Sequence, residues 1–172
     1  PPGGRLPNIH FKVPHKLKQF SIFLQRDVLS KLANSQYLFI NLVEAPLLAF
    51  ILSYIVKYYD INSPYGYTLA SNSNLPVYIF ISVIVAMFIG LTVSSEEIIK
   101  DRKILKREAF LNLSWNSYLF SKIGVQFVIS AIQAWLFVLI GNSIMEIQGM
   151  YLEYWLILFS AWCFSNMLGL LI

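Results

Sequence analysis

Apolar and polar residues follow one another along this chain in long blocks. Residues 1–15 are basic and punctuated by Pro and Gly, as a linker is. Residues 16–34 then show a helical period. Leu17, Phe20, Leu24, Val28 and Leu32 fall on one stripe, and Lys18, Gln19, Gln25, Arg26 and Ser30 fall elsewhere. An amphipathic helix just ahead of a long apolar block is expected to lie in a membrane interface. Four apolar blocks follow: 37–56, from Pro76 to near 93, 118–140, and from Tyr151 onward. About 20 apolar residues make about 30 Å of helix, the thickness of a bilayer core. Tyr37 at one end of the first block, and Tyr54, Tyr58 and Tyr59 at the other, fit an aromatic belt. Pro76 suits a first helical turn, where its missing donor was unpaired anyway. The pattern predicts an all-α membrane protein, with one amphipathic interfacial helix followed by four transmembrane helices. The domains expected are a linker at 1–15, a connecting helix at 16–35 and a membrane domain at 36–172.

Composition agrees. Hydrophobic residues make up 57% and charged residues 13%, about half the usual charged share. Mean hydropathy is +0.61. In such a chain, excess positive charge reports topology and does not argue for nucleic acid. Pro1-Pro2-Gly3-Gly4 is no signal peptide, and the chain stops inside an apolar run. An internal piece of a longer protein is expected.

One stretch breaks the apolar pattern. Residues 94–122 hold six of the thirteen Lys and Arg residues and four of the nine Asp and Glu residues. Apolar blocks flank it, so it must meet water beside a membrane. Ser94 with Glu97 fits a capping box at a helix start. Glu96, Glu97 and Asp101 lie near that start, and Lys103, Lys106 and Arg107 toward the other end, an order that suits the helix dipole. Glu96 and Lys100 are spaced to pair, whereas Glu97 and Asp101 are like charges four apart. Ser114 can cap the next helix.

Orientation follows from Lys and Arg. The segment before the first block carries Arg5, Lys12, Lys16, Lys18, Arg26 and Lys31. Between the first and second blocks there is only Lys57, and between the third and fourth there is neither Lys nor Arg. The N-terminus and the 94–122 stretch are therefore expected in the cytoplasm, with 57–75 and 141–150 outside a cell membrane.

Small residues recur at every fourth position: Asn41, Ala45, Ala49 and Ser53; then Ser82, Ala86, Gly90 and Ser94; then Ala161, Ser165 and Gly169. Such faces let helices approach closely in lipid. Glu44 is the one acid within a block, followed by Pro46, which removes a backbone donor. Intramembrane acids face a bundle interior or a polar cavity, so Glu44 is either a lining residue or a structural acid. Lys122, Gln126, Ser130 and Gln133 share one helix face and should point inward, as cavity lining or as interhelical glue.

No enzyme constellation is evident. His10 and His15 lack acids spaced to make a metal site with them, and Cys163 reads as a small packed hydrophobe. No phosphate-binding loop occurs, so ATP is not bound here in that way.

The string Glu97, Asp101-Arg102, Arg107-Glu108, Leu113-Ser114, Tyr118 and Ser121-Lys122 resembles the cytoplasmic loop of G-subfamily-type ABC exporters. Gln19-Phe20, Arg26-Asp27, Asn34-Ser35-Gln36-Tyr37 and Glu44-Ala45-Pro46 resemble the connecting helix and first span of bacterial members. Asp101 stands where Glu is more usual, and Ala109 where Arg is frequent. The resemblance implies a fragment of a six-span permease, working as a homo- or heterodimer with a fused or separate nucleotide-binding domain. ATP and Mg would be bound in that domain and no cofactor in this segment. The coupling loop would be 94–117, with Glu97, Asp101, Arg102, Arg107 and Glu108 meeting the ATPase or the connecting helix. Glu44, Gln126, Ser130 and Gln133 would line a substrate path or serve as intramembrane polar contacts. The rival reading is a membrane anchor or scaffold whose basic loop binds anionic lipid or a protein. An intramembrane enzyme would need a second acid, His or Ser pair near Glu44.

Overall fold

The computed structural model describes residues 15–57, 70, 72–108 and 114–171, with the side chains of 103–105, 107 and 108 left aside. The expected features at 1–14 and at Tyr58, Tyr59, Ala109 and Leu113 lie outside the described residues. Five helices account for the described fold: α1 (Lys16–Ala33), α2 (Ser35–Val56), α3 (Leu75–Glu108), α4 (Trp115–Met145) and α5 (Tyr151–Leu171). The last four are long and apolar enough to cross a membrane.

Each boundary has a local cause. Asn34 separates α1 from α2, and its Oδ1 accepts the N–H of Tyr37 at 3.1 Å, which satisfies a free donor of the new helix. Ser114 stands at the N-cap position of α4, but its side chain makes no capping hydrogen bond to the helix backbone. Its backbone N–H donates to Oε1 of Gln19, and its hydroxyl donates to Ser117. At the other end of α4, Glu146 takes the left-handed conformation at φ 57° and returns its N–H to the carbonyl of Asn142. Pro46 lies inside α2 without ending it.

The expected helix start at Ser94 is not there. α3 runs unbroken from Leu75 to Glu108. Its backbone donors at Ser94 are consumed by the continuing helix, so no free groups remain to cap. The Ser94 hydroxyl instead donates to Oδ1 of Asn166 at 2.8 Å. Thirty-four residues make about 50 Å of helix, against a bilayer core of about 30 Å. One stiff element therefore spans the membrane and projects beyond it.

α4 is the central helix, packing on α1, α2 and α5, while α3 packs mainly on α5. The stripes of small residues are the contact faces. Asn41, Ala45, Ala49 and Ser53 are buried, as are Ser82, Ala86, Gly90 and Ser94. A Cβ on Gly169 would stand 2.7 Å from the Leu91 carbonyl oxygen and 2.8 Å from Cβ of Ser94. One on Gly90 would stand 3.0 Å from the Trp162 carbonyl oxygen. α3 and α5 thus approach backbone to side chain, which glycine alone allows. Ala161 is only half-buried; Trp162 beside it is fully buried and fills the stripe's place in the core. Outward, Phe39, Phe50, Phe80, Phe120 and Phe164 are exposed, an apolar coat suited to lipid.

α1 turns its faces the opposite way from a helix on a soluble core. Gln19, Phe23, Asp27 and Lys31 are buried, while Leu17 is 74% and Leu32 60% exposed. Its polar stripe packs on the protein, and the apolar stripe is left for lipid. Lys57 Nζ meets Glu146 Oε1 at 3.0 Å at the opposite end of the bundle from α1, so the two loops expected on one side share an end.

Candidate functional site

At the end where α1, α3 and α4 meet, five ionisable side chains are packed together. The i, i+4 spacing of Asp27 and Lys31 puts both on the buried side of α1. The same spacing puts Glu97 and Asp101 on one side of α3, and Lys122 stands opposite them on α4. Lys31 Nζ donates to Asp27 Oδ2 at 2.6 Å and to Glu97 Oε2 at 3.0 Å. Lys122 Nζ donates to Glu97 Oε2 at 3.1 Å, meets Asp101 Oδ2 at 2.8 Å, and also donates to Asp27 Oδ1. Tyr118 donates its hydroxyl proton to Asp101 Oδ2 at 2.6 Å.

Four of the five side chains are under 10% exposed, and Asp101 is 19% exposed. Glu97 Oε2 is shared by both ammonium groups, and Asp27 gives one oxygen to each. Like charges at Glu97 and Asp101 are tolerable because Lys122 lies between them. Three carboxylates face two ammonium groups, which leaves one excess negative charge. A hollow of about 190 Å³ borders the cluster, with Arg26 on its rim 5.5 Å over the Phe23 ring. Burial makes each missing partner expensive, so the five groups act as one unit.

A polar column continues from Lys122 down α4. Gln126, Ser130 and Gln133 are each 1% exposed. Ser130 Oγ accepts from Asn166 Nδ2 at 2.6 Å, and Asn166 in turn accepts from Ser94, which links α4, α5 and α3. Gln133 Nε2 donates to the Asn41 carbonyl at 2.8 Å and so joins α4 to α2. That carbonyl neighbours the one at Leu42, which Pro46 leaves without a donor. The buried Tyr37 hydroxyl on α2 lies beside Gln126 and Glu97, which brings α2 to the edge of the cluster.

Glu97 and Asp101 are therefore spent inside the chain, on the connecting helix and on α4. Arg102 is exposed on the projecting part of α3. Arg107 and Glu108 lie in the last turn of α3, and their side chains are outside those described. Glu96 and Lys100 pair at 3.2 Å on the exposed side, as their spacing predicts. Glu44 is half-buried and stands apart from the cluster, in a crevice between α2 and α3. Sequence reasoning missed Asp27 and Lys31 as site residues, and took Lys122 as the top of a polar column and as part of the loop motif without seeing its acidic partners. The available signal was the stripe Gln19, Phe23, Asp27 and Lys31, spaced by four and lying beside the apolar one.

Over residues 18–172 the chain matches the family described as ABC-2 type transporter. It belongs to that family. The match covers all but the first two residues of α1 and all four apolar helices, and identifies the chain as a multi-pass ABC-2 membrane domain. No curated protein and no solved structure matches it significantly. In this membrane domain the ion cluster joins α1, α3 and α4 at one end of the bundle.

Proposed function

We propose that this ABC-2 domain is the permease part of an ATP-driven exporter in a cell membrane. It receives the work of ATP hydrolysis from a fused or separate nucleotide-binding domain, which holds the ATP and Mg, and a second permease domain completes the path. The N-terminus and the projecting end of α3 lie on the cytoplasmic side, as the Lys and Arg asymmetry argues. The chain's own part is mechanical, and no catalytic residue is assigned to it.

The observation that carries this reading is the pairing of a continuous α3 with the buried ion cluster. A push on the exposed end of α3, at Arg102 and beyond, reaches the span with no joint in between. The cluster passes the same push to α1 and α4. A lipid-binding anchor needs neither the stiff helix nor five buried charges.

The test is the double variant Arg102→Glu, Arg107→Glu in the intact transporter. Hydrolysis should persist while export is lost, at unchanged insertion. Normal hydrolysis with normal export would remove the projecting end of α3 from the coupling path and favour the anchor.

A further inference from the structure

The crevice between α2 and α3 has no part in the ion cluster. It holds about 470 Å³ and runs from a polar mouth at Asn34, Gln36 and Lys100 to Glu44. Glu44 lies nine residues into the membrane-spanning helix α2, about 13 Å along its axis from its start. Among the described residues it has no hydrogen bond and no ion pair. An acid within a span and without a cation is costly. The other charges facing the crevice are Glu96 and Lys100, which pair with each other, and Lys100 also lies 5.3 Å from the Tyr37 ring centre. Glu96 adds to the negative potential at Glu44. Among the described residues the crevice thus holds one carboxyl group, Glu44, without an ion-pair partner.

Its walls are not those of an inorganic ion site. Ile40 and Phe88 line it and are 52% and 66% exposed toward the lipid side. Val93 and the Thr92 hydroxyl complete the wall, but that hydroxyl is turned back onto the Phe88 and Ile89 carbonyls. Beside one free carboxylate the site offers an apolar, aromatic and laterally open surface.

We propose that this crevice binds an organic ammonium with an apolar body, taken from the adjoining leaflet. The ammonium sits at Glu44, in reach of the Phe88 face, and the apolar body lies along Ile40 and Phe88 toward lipid. A zwitterionic phospholipid fits poorly, because its phosphate would be carried toward Glu44 and Glu96. Binding rests on the crevice alone. That the ligand is cargo rests on the exporter reading.

The experiment uses the intact transporter in phosphatidylcholine nanodiscs without ATP. The probes are a photoactivatable long-chain alkylamine and the matching alkyl sulfate, with labelled residues mapped by mass spectrometry. Amine labelling is expected at Ile40, Phe88 and Val93, and sulfate labelling there should be about tenfold weaker. Glu44→Gln should cut amine labelling about tenfold, with Glu44→Asp keeping most of it and circular dichroism unchanged in both. Equal labelling by amine and sulfate overturns the proposal. So does amine labelling that survives Glu44→Gln, or that is displaced by adding phosphatidylethanolamine at lipid concentrations. Labelling that behaves as expected in a transporter that exports nothing upholds the site and removes the exporter reading.

Discussion

Lys122 is the residue on which most of the site converges. It contacts Glu97, Asp101 and Asp27 from within the protein. Lys122→Met would leave three carboxylates facing Lys31 alone. The loss should be about 3–5 kcal/mol, the usual penalty of an orphaned buried charge, read as a lowered melting temperature in detergent. Combining Lys122→Met with Glu97→Gln should recover part of that loss. If the double variant is worse by the sum of the two single effects, the groups are independent and no cluster exists. At this scale the sequence was only partly legible. Glu97 and Asp101 were singled out as contacts for the ATPase or the connecting helix, and Glu97 does meet Lys31 on α1. The contacts of both with Lys122 on α4 were not foreseen, because local periodicity holds no information about which distant stripe a helix face will meet. The Asp27–Lys31 spacing was legible, but the apolar stripe beside it drew the reading toward lipid alone.

Two contacts decide the elements. The first is the close approach of α3 and α5 at Gly169, where an added Cβ would meet the Leu91 carbonyl at 2.7 Å. Gly169→Val should cost about 1–3 kcal/mol by forcing the helices apart, visible as a lower melting temperature. Gly124 has open space around it, so Gly124→Ala should leave stability unchanged or slightly raised. The second is the continuity of α3. Ile99 is exposed and lies between Glu97 and Asp101. Ile99→Pro would remove a helix hydrogen bond and kink the rod. Export should fall well below that of Ile99→Ala while hydrolysis continues; matched export rates would show that α3 need not be stiff. The four apolar blocks and most positions of the small-residue stripes were legible, because hydropathy and spacing are local properties. The unbroken α3 was not. Ser94 and Glu97 satisfy the pattern of a helix start, and only the packing of Ser94 against Asn166 shows that the helix passes through.

The whole molecule is a bundle with two unlike ends. One carries α1, the ion cluster and the projecting part of α3; the other carries the Lys57–Glu146 pair. Single cysteines at Gln25 and Asn116 should react with a membrane-impermeant thiol reagent from the same side. A cysteine at Ser143 should react only from the opposite side; a Cys163→Ser background removes the native thiol. The central claim is that the cluster binds α1, α3 and α4 into one body. Spin labels at Gln25, Ile99 and Asn116, all exposed, report the distances among the three helices in the intact transporter. The account predicts sharp distances that stay the same with and without ATP, and that broaden or lengthen in Lys122→Met. Distances that shift on ATP binding in the unmodified protein, or that Lys122→Met leaves untouched, would contradict it.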